Sequence, residues 1–180
     1  LWTPHRLAYV RGEDTSVETV PGCPFCTGPE RRDDESLIVF RGEHCFVILN
    51  LFPYNPGHLL VCPYRHLADL TELTDDELTE LMRLTRDAVV AVSEASHPNA
   101  FNTGLNLGQA AGGSLSDHLH MHVVPRWIGD SNFLPVTAHT KAIMDTLGGT
   151  WTDIREHWPE QGTAPRATEG TGTAGTAAES

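Results

Sequence analysis

His118-Leu119-His120-Met121-His122-Val123-Val124-Pro125-Arg126 alternates imidazole and apolar side chains over its first six residues. An alternation of period two marks a strand, because successive side chains leave opposite faces of the backbone. Read as a strand over 118–125, the stretch puts His118, His120 and His122 on one face, roughly 6–7 Å apart. Leu119, Met121 and Val123 fall on the other face, where a helix can cover them. A single histidine on such a face is most simply a packed one. A row of them, each beside an apolar neighbour, is hard to explain as packing and points to chemistry.

Working outward, the segments 37–41, 45–49 and 58–63 are rich in Val, Ile and Leu and punctuated by Gly or Pro, so they read as strands. Phe52-Pro53-Tyr54-Asn55-Pro56-Gly57 forms the turn before the third. One helix stands out over 75–96, opened by a Thr74/Glu77 capping box and stopped by Pro98. Its apolar stripe is Leu78, Leu81, Met82, Val89 and Val92, read as core. A further strand over 101–107 leads into a glycine- and alanine-rich loop at 108–113. Strands with short connections and one long helix give an α+β domain: a mainly antiparallel five-stranded sheet with the helix packed on it.

This domain is expected over 37–158. It follows an N-terminal segment 1–36, ordered over 1–10 and loop-rich over 11–36, that carries a Cys-x-x-Cys loop. The tail 159–180, made of Gly, Thr, Ala and Glu with little to bury, is expected to be disordered.

The chain of 180 residues carries 12 Lys and Arg against 24 Asp and Glu, a formal charge of −12. Such a surface repels a phosphate backbone, which argues against general DNA or RNA binding. It leaves room for small phosphorylated ligands held by local N–H groups and imidazoles. No apolar run approaches the roughly 18 residues needed to span a bilayer, so no membrane partner is expected. With no signal-like segment in a chain that starts at Leu1, a cytoplasmic location is the default expectation.

The histidine row admits two chemical readings. Neutral imidazoles two apart on a strand can share one metal, which would make the protein a metalloenzyme with His118, His120 and His122 as ligands. Alternatively, one imidazole acts as nucleophile or general base while its neighbours bind charge. The loop Gly108-Gln109-Ala110-Ala111-Gly112-Gly113-Ser114 favours the second, because turned glycine-rich backbone gathers N–H groups into an anion nest beside the row.

The cysteines divide into two kinds. Cys45 and Cys62 sit in apolar strand-like runs and read as buried small hydrophobes. Cys23-Pro24-Phe25-Cys26 admits a redox pair, a disulfide or half of a structural zinc site, and zinc is favoured because a loop rather than a helix follows the pair.

His118-Leu119-His120-Met121-His122-Val123-Val124 resembles the His-φ-His-φ-His-φ-φ signature of the histidine triad (HIT) family, where φ is apolar. The resemblance extends over about 37–127 and takes in Asn50, the Asn55-Pro56-Gly57-His58 turn and Asn106 before the glycine loop. Leu1-Trp2-Thr3-Pro4 with Arg6, Asn50-Leu51-Phe52-Pro53-Tyr54-Asn55-Pro56-Gly57-His58, and Gly104-Leu105-Asn106-Leu107-Gly108 followed by Gly112-Gly113-Ser114-Leu115 resemble the actinobacterial diadenosine tetraphosphate phosphorylase branch.

This resemblance implies a HIT-like fold and a homodimer. It implies His120 as a nucleophile that forms a nucleotidyl-histidine, its other ring nitrogen donating to the carbonyl of His118. His122 would contact phosphate oxygens. Asn106, Gly113 and Ser114 would hold phosphates, Asn50 the ribose hydroxyls, and apolar groups near Phe46 and Leu51 would cover the base.

The implied substrate is a dinucleoside polyphosphate. Phosphate would accept the nucleotidyl group in a phosphorylase and water in a hydrolase of dinucleotides or nucleoside phosphoramidates; a non-catalytic nucleotide-binding adaptor is the remaining alternative. The resemblance also implies that His66 and His118 complete a structural zinc site with Cys23 and Cys26, His44 and Cys45 being alternative ligands. It implies no organic cofactor.

Overall fold

Two stacked sets of apolar side chains, one on each face of a sheet, organise the protein. The computed structural model describes residues 22–112, 115–130 and 146–160. The sheet contains β1 (Ile38–Arg41), β2 (Cys45–Leu49), β3 (Leu59–Pro63), β4 (Ala100–Leu105) and β5 (Met121–Arg126) in the order β1-β2-β3-β5-β4. Every pairing is antiparallel. The last strand is thus the one inserted near the middle, between β3 and β4. The α+β architecture matches the reading of the sequence.

Side-chain alternation sorts the strands onto the two faces. Val47, Leu49, Leu59, Val61, Met121 and Val123 form one cluster with Leu81, Leu84, Ala88, Ala91 and Val92 of a long helix. Phe25, Ile38, Phe46, Leu60 and Cys62 form the other. Because both faces are covered, β3 is buried along its whole length and reads as an unbroken apolar run.

The long helix spans Asp75–Ser96 and begins with the expected capping box between Thr74 and Glu77. Its buried line differs from the expected stripe. Leu81, Leu84, Ala88, Ala91 and Val92 face the sheet, whereas Leu78 and Met82 are 42 % and 52 % exposed. The small Ala88 and Ala91 let the helix approach closely and rotate the contact line away from the larger side chains.

Three further differences concern segment boundaries. The expected loop before β1 contains one-turn helices at Pro24–Thr27 and Asp33–Ser36, here α1 and α2, making the long helix α3. A fourth helix, α4 (Leu147–Glu156), was not anticipated; it buries Ile154 in the core. Finally β4 covers Ala100–Leu105 rather than 101–107, and β5 starts at Met121 rather than His118. The N–H of Leu119 donates to the carbonyl of Leu67 at 2.6 Å, so the chain there follows a loop instead of β3. The expectations for 1–10 and for the tail beyond Glu160 lie outside the described residues. No helix among the described residues is long and apolar enough to cross a membrane.

Glu80 fastens the β1–β2 turn to α3. Its carboxylate, 7 % exposed, accepts from the backbone N–H groups of Glu43 (3.2 Å), His44 and Cys45 (2.9 Å) and from Arg83 (2.6 Å). A Cβ added at Gly42 would lie 2.7 Å from this carboxylate, so only glycine fits there. Burial pushes the Glu80 pKa up, but the three N–H groups outweigh it and the net shift is downward.

Glu80→Ala is expected to cost about 3 kcal/mol, because it strands buried donors. Thermal unfolding should show the midpoint falling by roughly 6–12 °C. Since the folded-state pKa is depressed, the carboxylate's contribution is present above its unfolded pKa and is lost as pH falls through the lower folded value. Wild type should therefore weaken more on acidification than the variant; equal acid sensitivity in urea titrations would refute the assignment.

Candidate active site and metal centre

The row of histidines lies on the face of the sheet that carries Phe25 and Leu60. All three members are buried, His118 at 1 %, His120 at 8 % and His122 at 9 % exposure. Their rings do not converge on a common point, because each is committed to a different partner.

His122, on β5, sits across from Leu60 of β3 and Gly104 of β4. Its Nδ1 lies 3.0 Å from Nε2 of His58, and its Nε2 lies 3.0 Å from the side-chain amide of Asn106. His58, at 0 % exposure, is named by the sequence only as the end of the Asn55-Pro56-Gly57-His58 turn, with no role at the site. Its Nδ1 receives the N–H of Tyr54 at 3.1 Å and faces the Asn50 amide nitrogen at 3.2 Å. With Nδ1 accepting, the His58 proton sits on Nε2 and donates to His122 Nδ1. A neutral His122 then carries its own proton on Nε2; the structure sets Asn106 Nδ2 against that nitrogen at 3.0 Å, so this tautomer calls for the amide to be turned with its oxygen toward the ring.

Asn50, expected to bind ribose, is oriented within this relay, since its Oδ1 accepts from Phe52 N–H at 3.0 Å. The Asn55-Pro56-Gly57 turn places His58. Gly57 takes φ +75°, and the Asn55 side chain donates to Pro125 O at 2.9 Å and to Asp130 at 2.7 Å.

His120 is held differently. Its Nδ1 lies 2.8 Å from the carbonyl oxygen of His118, as expected, and donates to it. That bond leaves the proton on Nδ1 and a lone pair on Nε2. Among the described residues no hydrogen bond to Nε2 is present. The ring packs against Phe25, with centroids 5.1 Å apart, and stands edge-on to His122 at 4.9 Å. Burial holds the His120 pKa below the ordinary imidazole value, so the neutral form dominates near neutral pH.

His118 turns toward the N-terminal segment. Its Nε2 donates to Pro63 O at 2.9 Å, which leaves Nδ1 with a lone pair. Around that nitrogen lie Cys23 Sγ at 3.3 Å, Cys26 Sγ at 3.5 Å and His66 Nδ1 at 3.3 Å. Cys26 Sγ also lies 3.3 Å from His66 Nδ1, and all four ligand atoms fall within 4.8 Å of one another. Tetrahedral zinc, with bonds of about 2.0–2.1 Å to nitrogen and 2.3 Å to sulfur, spaces nitrogens roughly 3.4 Å apart and sulfur roughly 3.6 Å from nitrogen. The residues present fit that ion.

His44 and Cys45, the alternative ligands, are not in the cluster. Cys45 is fully buried beside α3, and the His44 backbone is bound to Glu80. Among the described residues this cluster is the one group able to hold a metal, so the expected alternative with a metal on all three histidines does not match the geometry.

Phe46 is fully buried under Tyr64 and cannot cover a base, whereas Leu51 is 46 % exposed. Gly113 and Ser114, expected to hold phosphate, lie outside the described residues.

Comparison with known proteins agrees with this geometry. A HIT domain matches residues 31–127. AP-4-A phosphorylase of Mycobacterium tuberculosis is 45% identical over 165 residues, covering 89% of this chain and 85% of that protein. Bis(5'-nucleosyl)-tetraphosphatase [asymmetrical] of Schizosaccharomyces pombe is 34% identical over 91 residues, 51% of this chain and 50% of its own length. Among solved structures, a Zn-bound histidine triad family protein from Mycobacterium smegmatis superposes with a TM-score of 0.56 at 26% identity, covering 68% of this chain and 83% of its own. The chain belongs to the HIT family.

Proposed function

We propose that the protein is a nucleotidyltransferase that phosphorolyses dinucleoside polyphosphates, converting diadenosine tetraphosphate and phosphate to ATP and ADP. The observation that carries this reading is the His120 ring. Its proton is fixed by the His118 carbonyl, and its Nε2 bonds to no described residue.

In the first step the Nε2 lone pair attacks the phosphorus next to one adenosine. A P–N bond forms, the P–O bond to the remaining chain breaks, and ATP leaves. In the second step an oxygen of inorganic phosphate attacks the same phosphorus, the P–N bond breaks, and ADP is released. Splitting one displacement into two lets a single positioned nucleophile serve both partners. His122 stands beside His120 and Asn106 beside His122, and the two would hold the nonbridging oxygens, where a fixed donor is worth most in the transition state. His58, Tyr54 and Asn50 keep His122 in the tautomer that donates from Nε2.

Zinc on Cys23, Cys26, His66 and His118 belongs to this reading as a structural ion, which when bound would tie the N-terminal segment to the carbonyl that orients His120. So does a homodimer, to be read by sedimentation.

The relatives that match include both a phosphorylase and a tetraphosphatase, so the acceptor is the point to test. Products from diadenosine tetraphosphate should be ATP and ADP, at a rate that rises with added phosphate. ATP and AMP at a rate indifferent to phosphate would make water the acceptor and the protein a hydrolase.

A further inference from the structure

Phe25 stands between the two cysteines of the candidate metal loop and points inward. It is 5 % exposed and belongs to the apolar cluster on the histidine face of the sheet. Its ring lies 5.1 Å from the His120 ring at a tilt of 46° and 5.4 Å from the His118 ring at 73°. One side chain therefore touches both the candidate nucleophile and the candidate ligand beside it. The one-turn helix α1 (Pro24–Thr27) fixes its direction. With Cys23 and Cys26 on the ligand cluster, the residue between them is driven under the rings.

The hydrogen bond from His120 Nδ1 to His118 O fixes one end of the imidazole only. A single bond at a ring nitrogen leaves the ring free to rock about its axis, and a second contact with the ring is needed to aim Nε2. Phe25 is that contact on one side, and His122 meets the ring edge-on at 4.9 Å.

We propose that Phe25 is a positioning residue for His120, so that the Cys-x-x-Cys loop sets the aim of the nucleophile as well as gathering the ligand cluster. The inference rests on the reading of His120 as nucleophile. It requires nothing of the ion beyond holding the loop. Misplacing a reacting atom by an ångström costs about 100-fold in rate, without a matching loss of substrate binding.

The test uses the zinc-loaded full chain with Phe25→Leu, which keeps an apolar side chain but loses the flat ring, and Phe25→Ala. For Phe25→Leu, kcat should fall about tenfold, with KM for diadenosine tetraphosphate within about twofold of wild type. Phe25→Ala should lose more, on the order of 100-fold. Zinc content should stay at the wild-type level in Phe25→Leu, separating a lost aim from a collapsed loop. A kcat at the wild-type level, or a loss confined to KM, overturns the proposal. Should Phe25→Ala fail to fold, the leucine variant decides alone.

A readout free of substrate separates this proposal from the assigned activity. The His120 Nδ1 proton, followed by nitrogen-15 NMR, should exchange faster with water in Phe25→Leu than in wild type. If wild type forms no nucleotidyl adduct, the assigned activity fails while the exchange comparison still decides the role of Phe25. Equal exchange rates in both proteins overturn it.

Discussion

His120→Ala should lower turnover of diadenosine tetraphosphate by on the order of 10⁴-fold or more, since removing a nucleophile removes the whole covalent route. No described neighbour can substitute. His122 Nδ1 is engaged by His58, and His118 directs its lone pair at the cysteine cluster. Nucleotide binding should survive, because Asn106 and His122 are untouched by the change; calorimetry with a slowly turned-over analogue reads this. In wild type, acid-free quenching during turnover should trap protein heavier by one adenylyl group, and peptide mapping should place that group on the segment containing His120. Residual turnover above about 1% in the alanine variant, or an adduct on another residue, would dismantle the mechanism.

Cys23→Ser should have the second largest effect, and on stability rather than on the chemical step alone. The Cys23 thiolate would supply one of four bonds to the ion, and a metal that binds only the folded state stabilises it by mass action. At a free zinc concentration about 1,000-fold above its dissociation constant the gain is about 4 kcal/mol. For a chain of this size that corresponds to roughly 8–16 °C in thermal midpoint. Chelation of wild type should reproduce the loss, restoring zinc should reverse it, and Cys23→Ser should respond to neither treatment. Metal analysis should find about one zinc per wild-type chain. If the serine variant keeps its zinc and its midpoint, the four-residue cluster is not a metal centre.

Much of this was legible in the sequence, for identifiable reasons. The helix Asp75–Ser96 carries its own start signal in Thr74 and Glu77, both of which act locally. The bond from His120 to the carbonyl of His118 came with the family signature, because it joins two residues of one short motif. What escaped depends on distant partners. His58 shows no periodic signal of its own, and its role appears only when β3 pairs with β5 and brings it to His122, 64 residues away. The start of β5 was misplaced because Leu119 finds its acceptor in Leu67, on a loop no pattern ties to it. Helix α4 was hidden by Gly148 and Gly149, poor helix formers, although Leu147, Trp151, Ile154 and Trp158 recur at helical spacing. The buried line of α3 differs because Leu84, Ala88 and Ala91 share it with Leu81 and Val92, and the two alanines carry little signal in a search for large apolar residues.

The start of β5 at Met121 has a mechanical corollary. His122 belongs to a strand laced to neighbours on both flanks, opposite Leu60 and Gly104, so its backbone moves only when the sheet itself opens. His118 and His120 precede that lacing and hang from the Leu119–Leu67 bond and from their own ring contacts. The row thus straddles a boundary between backbone paired into the sheet and backbone that is not. Under the proposed mechanism the imidazole that meets phosphate is the one held by the sheet, while the nucleophile takes its position from the His118 carbonyl and Phe25 instead.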